Sequence, residues 1–144
     1  SNLRDSDVAI EFTDFYNADD SANIYVAFVL KKDMKEPQIV RLFDSADFNN
    51  LSSLGVYVND SLYNLVWKPL EPFFSNSSRI YFSPSGVLHG IAIESIPTSD
   101  GSLVSEHYDI YRLSSTRELC LNYTSKSEMS AVLYGGIDYE FSLW

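Results

Sequence analysis

A mixed α/β fold follows from three features of this 144-residue chain. Three segments before residue 44 have the two-residue apolar alternation or continuous apolar run of strands. Between residues 45 and 70 the apolar spacing changes to three and four, which is helical. From Arg79 onward, short runs of aromatic and β-branched residues return, separated by Pro, Gly and Ser.

In chain order, Asp7 to Phe15 reads as a strand with Val8, Ile10 and Phe12 on one face and Ala9, Glu11 and Thr13 on the other. Asn17 to Asn23 is turn composition, and Ile24 to Lys32 is almost unbroken apolar sequence, as expected of a central strand. Met34 to Pro37 turns again into a third strand, Pro37 to Phe43. An antiparallel meander is the economical connection. Ser45 is the expected cap of a helix carrying Phe48, Leu51 and Leu54, because a serine hydroxyl and Asp47 in the first turn satisfy free amides. Asn59-Asp60-Ser61 caps a second helix with Leu62, Leu65 and Val66 as its stripe, and Pro69 and Pro72 end or kink it near Lys68.

Arg79 to Ile96 is expected to form a hairpin. Arg79 to Phe82 would be one strand, Ser83-Pro84-Ser85-Gly86 the turn and Val87 to Ile96 the return, with Ile80, Phe82, Leu88, Ile91 and Ile93 buried. Pro97 to Gly101 is a turn, Tyr108 to Leu113 a strand, and Ser114 to Leu119 a turn into a short helix capped by Ser or Thr. Ser130 to Tyr134 reads as a final strand stopped by Gly135-Gly136. Its apolar side chains and unpaired edge predict that residues 130–144 pack back on the domain or pair with a second molecule as a homodimer.

Composition bounds the function. With 45% apolar and 15% aromatic residues the chain can build one ordinary core. Twenty acidic against ten basic residues give a net charge of −10, which repels phosphate backbones and argues against nucleic acid as a partner. A basic partner or neighbouring domain suits it better. One cysteine, Cys120, excludes an internal disulfide and makes a reduced, cytoplasmic setting the default. No apolar run reaches membrane-spanning length, so no membrane is expected. Ser1-Asn2 reads as a tag remnant, and the chain as a piece of a longer protein.

Several spaced motifs resemble one family. Leu65-Val66-Trp67-Lys68-Pro69-Leu70, then Ile80-Tyr81-Phe82-Ser83-Pro84-Ser85-Gly86-Val87-Leu88, Ile93-Glu94-Ser95-Ile96, Tyr111-Arg112-Leu113-Ser114-Ser115-Thr116 and Leu133-Tyr134-Gly135-Gly136-Ile137-Asp138-Tyr139 occur in the order seen at the opening of a CHAT domain. CHAT domains are caspase-like cysteine peptidases, often coupled to tetratricopeptide repeats. The resemblance implies that residues 62–144 are the N-terminal portion of such a domain. Residues 1–61, the meander and first helix, match more loosely and are expected to form one compact unit with the rest. It also implies that the catalytic His and Cys lie downstream of Tyr139, outside this sequence.

No catalytic, cofactor-binding or metal site is therefore expected in the chain itself. A Cys-His dyad is the first chemistry to weigh, with Cys120, His89 and His107 as its candidates. In caspase-like enzymes a His-Gly pair and the Cys each end a strand. Cys120 follows the polar, helix-like Ser-Ser-Thr-Arg-Glu-Leu, so it reads as a small buried hydrophobe. Glu94, in an apolar run, is expected to pair with Arg112 or Arg117. Gly135-Gly136 lacks the Lys-Ser/Thr of a phosphate loop, and the His and Cys spacings do not suit a metal. Asp5, Asp7, Asp19 and Asp20 read as solvated loop charges. The expected role is a non-catalytic segment that supports or regulates a downstream protease half, the alternative being a stand-alone acidic interaction module.

Overall fold

In the computed structural model, residues 3–52, 55–75 and 79–121 are described. They form a mixed five-stranded sheet with helices, so the α/β expectation holds. The meander is β1 (Asp7–Asn17), β2 (Ala22–Lys31) and β3 (Gln38–Asp44), all antiparallel. On the other side of β1, β4 (Arg79–Ser83) pairs parallel to it, and β5 (Asp109–Arg112) parallel to β4. The order β3-β2-β1-β4-β5 puts β1 at the centre and makes β2 interior. A single sheet thus takes strands from both residues 1–61 and residues 62–144.

The first face of the sheet carries the main core. Val8, Ile10 and Phe12 of β1, Ala27 and Val29 of β2, and Ile80 and Phe82 of β4 meet Leu62, Val66, Trp67 and Leu70. Leu62 and Val66 come from α2 (Ser61–Val66), Trp67 caps its end, and Leu70 lies in the 3₁₀ turn Lys68–Phe73 that continues it. The helix stops where Pro69 and Pro72 require it, since neither can donate an amide to the ladder. Trp67 stands edge-on to both Phe12 and Phe82, with ring centroids 5.9 and 5.7 Å away.

Helix α1 (Ser45–Ser52) begins one residue earlier in its capping than expected. Asp44 Oδ1 accepts from the amides of Ala46 and Asp47, at 2.9 and 3.0 Å, while Asp47 Oδ2 accepts from the Asp44 amide. The charged Asp44 carboxylate caps the first turn, and Ser45 Oγ instead takes the Asn23 amide across the sheet end. Leu54, the third residue of the expected stripe, lies outside the described residues, as do the strand at 130–134 and everything after it.

The hairpin expected from Arg79 to Ile96 does not form. Its first strand is β4, but Val87 to Ile96 makes two 3₁₀ turns, Gly86–Gly90 and Ile93–Ser95. Leu88 N bonds Ser85 O, Ile91 N bonds Leu88 O, and Ser95 N bonds Ala92 O. The reason is legible in the spacing. Leu88, Ile91, Ile93 and Ile96 fall mostly three apart, which a 3₁₀ turn places on one side and a strand would split between two faces. All four are buried, together with Ile80 and Phe82. After the Pro97–Gly101 turn the chain forms α3 (Val104–His107), then β5, and ends its described course in the 3₁₀ turn Thr116–Cys120, capped by Ser115 as expected.

Candidate functional site

The chemistry-bearing residues separate into two places. The first is a small cleft of about 210 Å³ lined by Tyr63, Glu71, Thr98, Asp100, His107 and Tyr108. The second is a larger apolar groove of about 420 Å³ on the second face of the sheet, with Cys120 at its rim. His107 belongs to one and Cys120 to the other, and His89 stands exposed in the Gly86–Gly90 turn. The fold does not bring the candidate dyad partners into either cleft together.

In the polar cleft a Ser, a His and an Asp come together within eight positions. Sequence reading missed this cluster, although Asp100-Gly101-Ser102 after Thr98 is a recognisable turn signal. Gly101 has φ +84°, and Thr98 N bonds Ser102 O at 2.8 Å, closing the loop. Asp100 Oδ1 then accepts from Thr98 Oγ1, the Ser102 hydroxyl and the Ser102 amide. Those bonds to the ionised form hold the Asp100 carboxyl well below the usual carboxylate range.

The arrangement differs from a nucleophilic triad in one decisive respect. A triad carboxylate binds the imidazole nitrogen remote from the serine, fixing the tautomer that removes the serine proton. Here Nε2 of His107 faces both Ser102 Oγ and Asp100 Oδ2, the latter at 3.7 Å. Ser102 has one proton, directed to Asp100, so His107 Nε2–H donates to the serine oxygen. The cluster is a clasp on the turn. On the opposite wall Tyr63 donates its phenol to Glu71, and burial first, then that bond, pushes the Tyr63 hydroxyl above its ordinary range.

Five charged residues singled out in the sequence have definite places. Glu94 pairs with Arg112, at 2.9 Å from Nη2, as anticipated; the guanidinium also bonds the Ile91 carbonyl and lies 5.1 Å from the Phe82 ring centroid. Asp7 is no solvated charge: it is 3% exposed and accepts from Arg79 Nε at 2.8 Å and from the Arg4 amide at 2.9 Å. Its charge made it read as a solvated loop residue, but it opens β1 beside Arg79 of β4, and a buried carboxylate is retained where a guanidinium meets it. Asp5 does remain exposed, paired with Lys32. Asp19 and Asp20 sit at the exposed β1–β2 turn.

Cys120 corrects the expectation of a buried hydrophobe, for it is exposed at the end of the Thr116–Cys120 turn. That turn is held to the sheet by polar bonds, Thr116 N and Oγ1 to Glu11 Oε2, which leave its last residue outside any core. Among the described residues no group of three or more His, Cys, Asp or Glu is placed to hold a metal ion, and no helix is long and apolar enough to cross a membrane. Gly135-Gly136 lies outside the described residues. No protein-family model matches this chain, and no curated protein matches it.

Proposed function

We propose that the chain is the non-catalytic N-terminal segment of a CHAT-type, caspase-like cysteine peptidase, acting in the cytoplasm as the platform on which the downstream protease half is completed. One observation carries this reading. The parallel trio β1-β4-β5 ends at β5, whose outer edge pairs with no strand among the described residues, and β5 lies near the end of the described chain. A parallel sheet is normally continued and covered by the strands and helices next in sequence. The residues that carry the family resemblance support the same role, since Trp67, Leu70, Ile80, Phe82, Leu88, Ile93 and Ile96 are all buried. They are framework residues, which is the contribution expected of a supporting half. Its partners would be that protease half and a tetratricopeptide-repeat region of the parent.

The test has two parts. The reading frame of the gene is followed beyond Trp144 for an apolar run ending in His-Gly and a second ending in Cys. The chain itself is incubated with a broad peptide library. The reading expects both strand-end motifs downstream and no turnover by the chain. Turnover abolished by Cys120→Ala or His107→Ala would place catalysis here and overturn it. The second reading, a stand-alone acidic interaction module, is favoured by the β1–β2 tip, where Phe15 and Tyr16 are exposed beside Asp14, Asp19 and Asp20. A basic partner with an apolar patch fits that tip, and a reading frame ending at Trp144 would favour it.

A further inference from the structure

The two faces of the sheet are both apolar. Opposite the main core, β2 presents Ile24, Val26, Phe28 and Leu30 in one row, beside Ala9 of β1, and Ile24, Val26 and Ala9 are buried although they stand outside the main core cluster. The groove on this side is walled by Leu3, Ala9, Phe28, Leu30, Pro37 and Leu119. Its one carboxylate, Glu11, is already engaged by Thr116. Ser115, Thr116 and Arg117 line one part of the groove, and the rest of its wall is apolar.

We propose that this groove is the docking site of the chain's own residues 130–144. The described chain runs along the rim of the groove, through Leu119 and Cys120, and continues at Leu121, which is 43% exposed. From Leu121 to Ser130 the chain reaches at most about 30 Å, enough to bring the following residues over β2. Those residues include Val132, Leu133, Ile137, Phe141, Leu143 and Trp144, a segment with apolar surface to bury, and Asp138 and Glu140 to meet Arg117 at the rim. Tethering by so short a linker gives an effective concentration of order millimolar, above that of a second copy in ordinary solution. The inference is independent of the peptidase reading.

The intact chain supplies its own probes, since Cys120 is its one thiol and Trp144 and Trp67 are its two indoles. A bimane fluorophore on Cys120 is quenched by an indole in contact range, and Trp67 is fixed in the opposite core. Docking predicts that Trp144→Phe raises bimane emission about twofold or more, and that Leu30→Glu in the groove does the same. Emission in the parent is to stay constant between about 1 and 100 μM protein. In denaturant melts, Leu133→Asp/Phe141→Asp and Leu30→Glu are to be non-additive, as expected for groups in contact. An unquenched parent, or additive losses, overturns the proposal. Quenching that grows with concentration, accompanied by a dimer mass, overturns it in favour of a second copy.

Discussion

Trp67 donates its indole N–H to the Ile93 carbonyl across 2.7 Å of buried interior. The bond ties the end of α2 to the 3₁₀ turns after β4, two segments that share no strand pairing. Replacing Trp67 by Phe keeps much of the aromatic packing but leaves that carbonyl unsatisfied, an expected loss of about 1–3 kcal/mol. Replacing it by Ala adds a cavity and is expected to cost about 3–5 kcal/mol. Urea melts of the two variants separate the hydrogen bond from the volume, and a Trp67→Phe variant as stable as the parent would show that the bond contributes nothing.

Asp7 and Arg79 head the parallel pairing of β1 with β4, with Nη2 of the arginine 2.7 Å from Oδ1. Arg79→Met leaves a buried carboxylate with only the Arg4 amide, and is expected to cost about 3 kcal/mol. Asp7→Asn/Arg79→Met together is expected to cost less than Arg79→Met alone, because no isolated charge remains. A double variant no more stable than Arg79→Met would remove the ion pair as the cause.

The meander, both helix starts to within a residue, the proline stop after Val66 and the position of β5 were legible because each rests on local periodicity or turn chemistry. What local pattern did not reveal is equally physical. Alternation cannot say which neighbour a strand takes, so the insertion of β1 between β2 and β4 had no sequence signal. It was this pairing that buried Asp7. Leu88, Ile91 and Ile93 were recognised as buried but not as 3₁₀, since a short apolar run fits either element until its spacing is given weight. The Asp100-Ser102-His107 clasp is assembled by one turn and the first turn of α3, and no periodicity reports it.

Gly86 has φ +55°, and a Cβ there would stand 2.7 Å from Tyr25 Oη and 2.9 Å from Asp14 Oδ1. The close approach lets Ser85 Oγ donate to Asp14 at 2.7 Å and the Val87 amide to Tyr25 Oη, fixing the post-β4 turn on the meander. Gly86→Ala is expected to destabilise by at least about 1 kcal/mol from backbone conformation alone. Val87→Asp, one residue on and exposed, should change stability by less than about 0.5 kcal/mol. A Gly86→Ala loss no larger than that of Val87→Asp would show that the positive φ and the close approach to Tyr25 and Asp14 contribute nothing.

Acid is expected to loosen the Asp100 clasp. The hydroxyls of Ser102 and Thr98 and the Ser102 amide lower the carboxyl's folded-state value below that of an unfolded aspartate, about 3.9. A depressed carboxyl stabilises the fold above the unfolded value and loses that contribution as pH falls through it toward the lower folded one. Asp100→Asn keeps the shape but has no proton to gain. The melting temperature of the parent should therefore exceed that of the variant near pH 7, with the gap narrowing below about pH 5. Glu118, also lowered by its bond from Ser114, titrates equally in both proteins and cancels in the difference. His107 also faces Asp100, from α3, so the comparison is repeated in a His107→Gln background. Parallel melting curves from pH 7 to pH 3 in that background would show that the turn is held by its backbone bond and Gly101 alone.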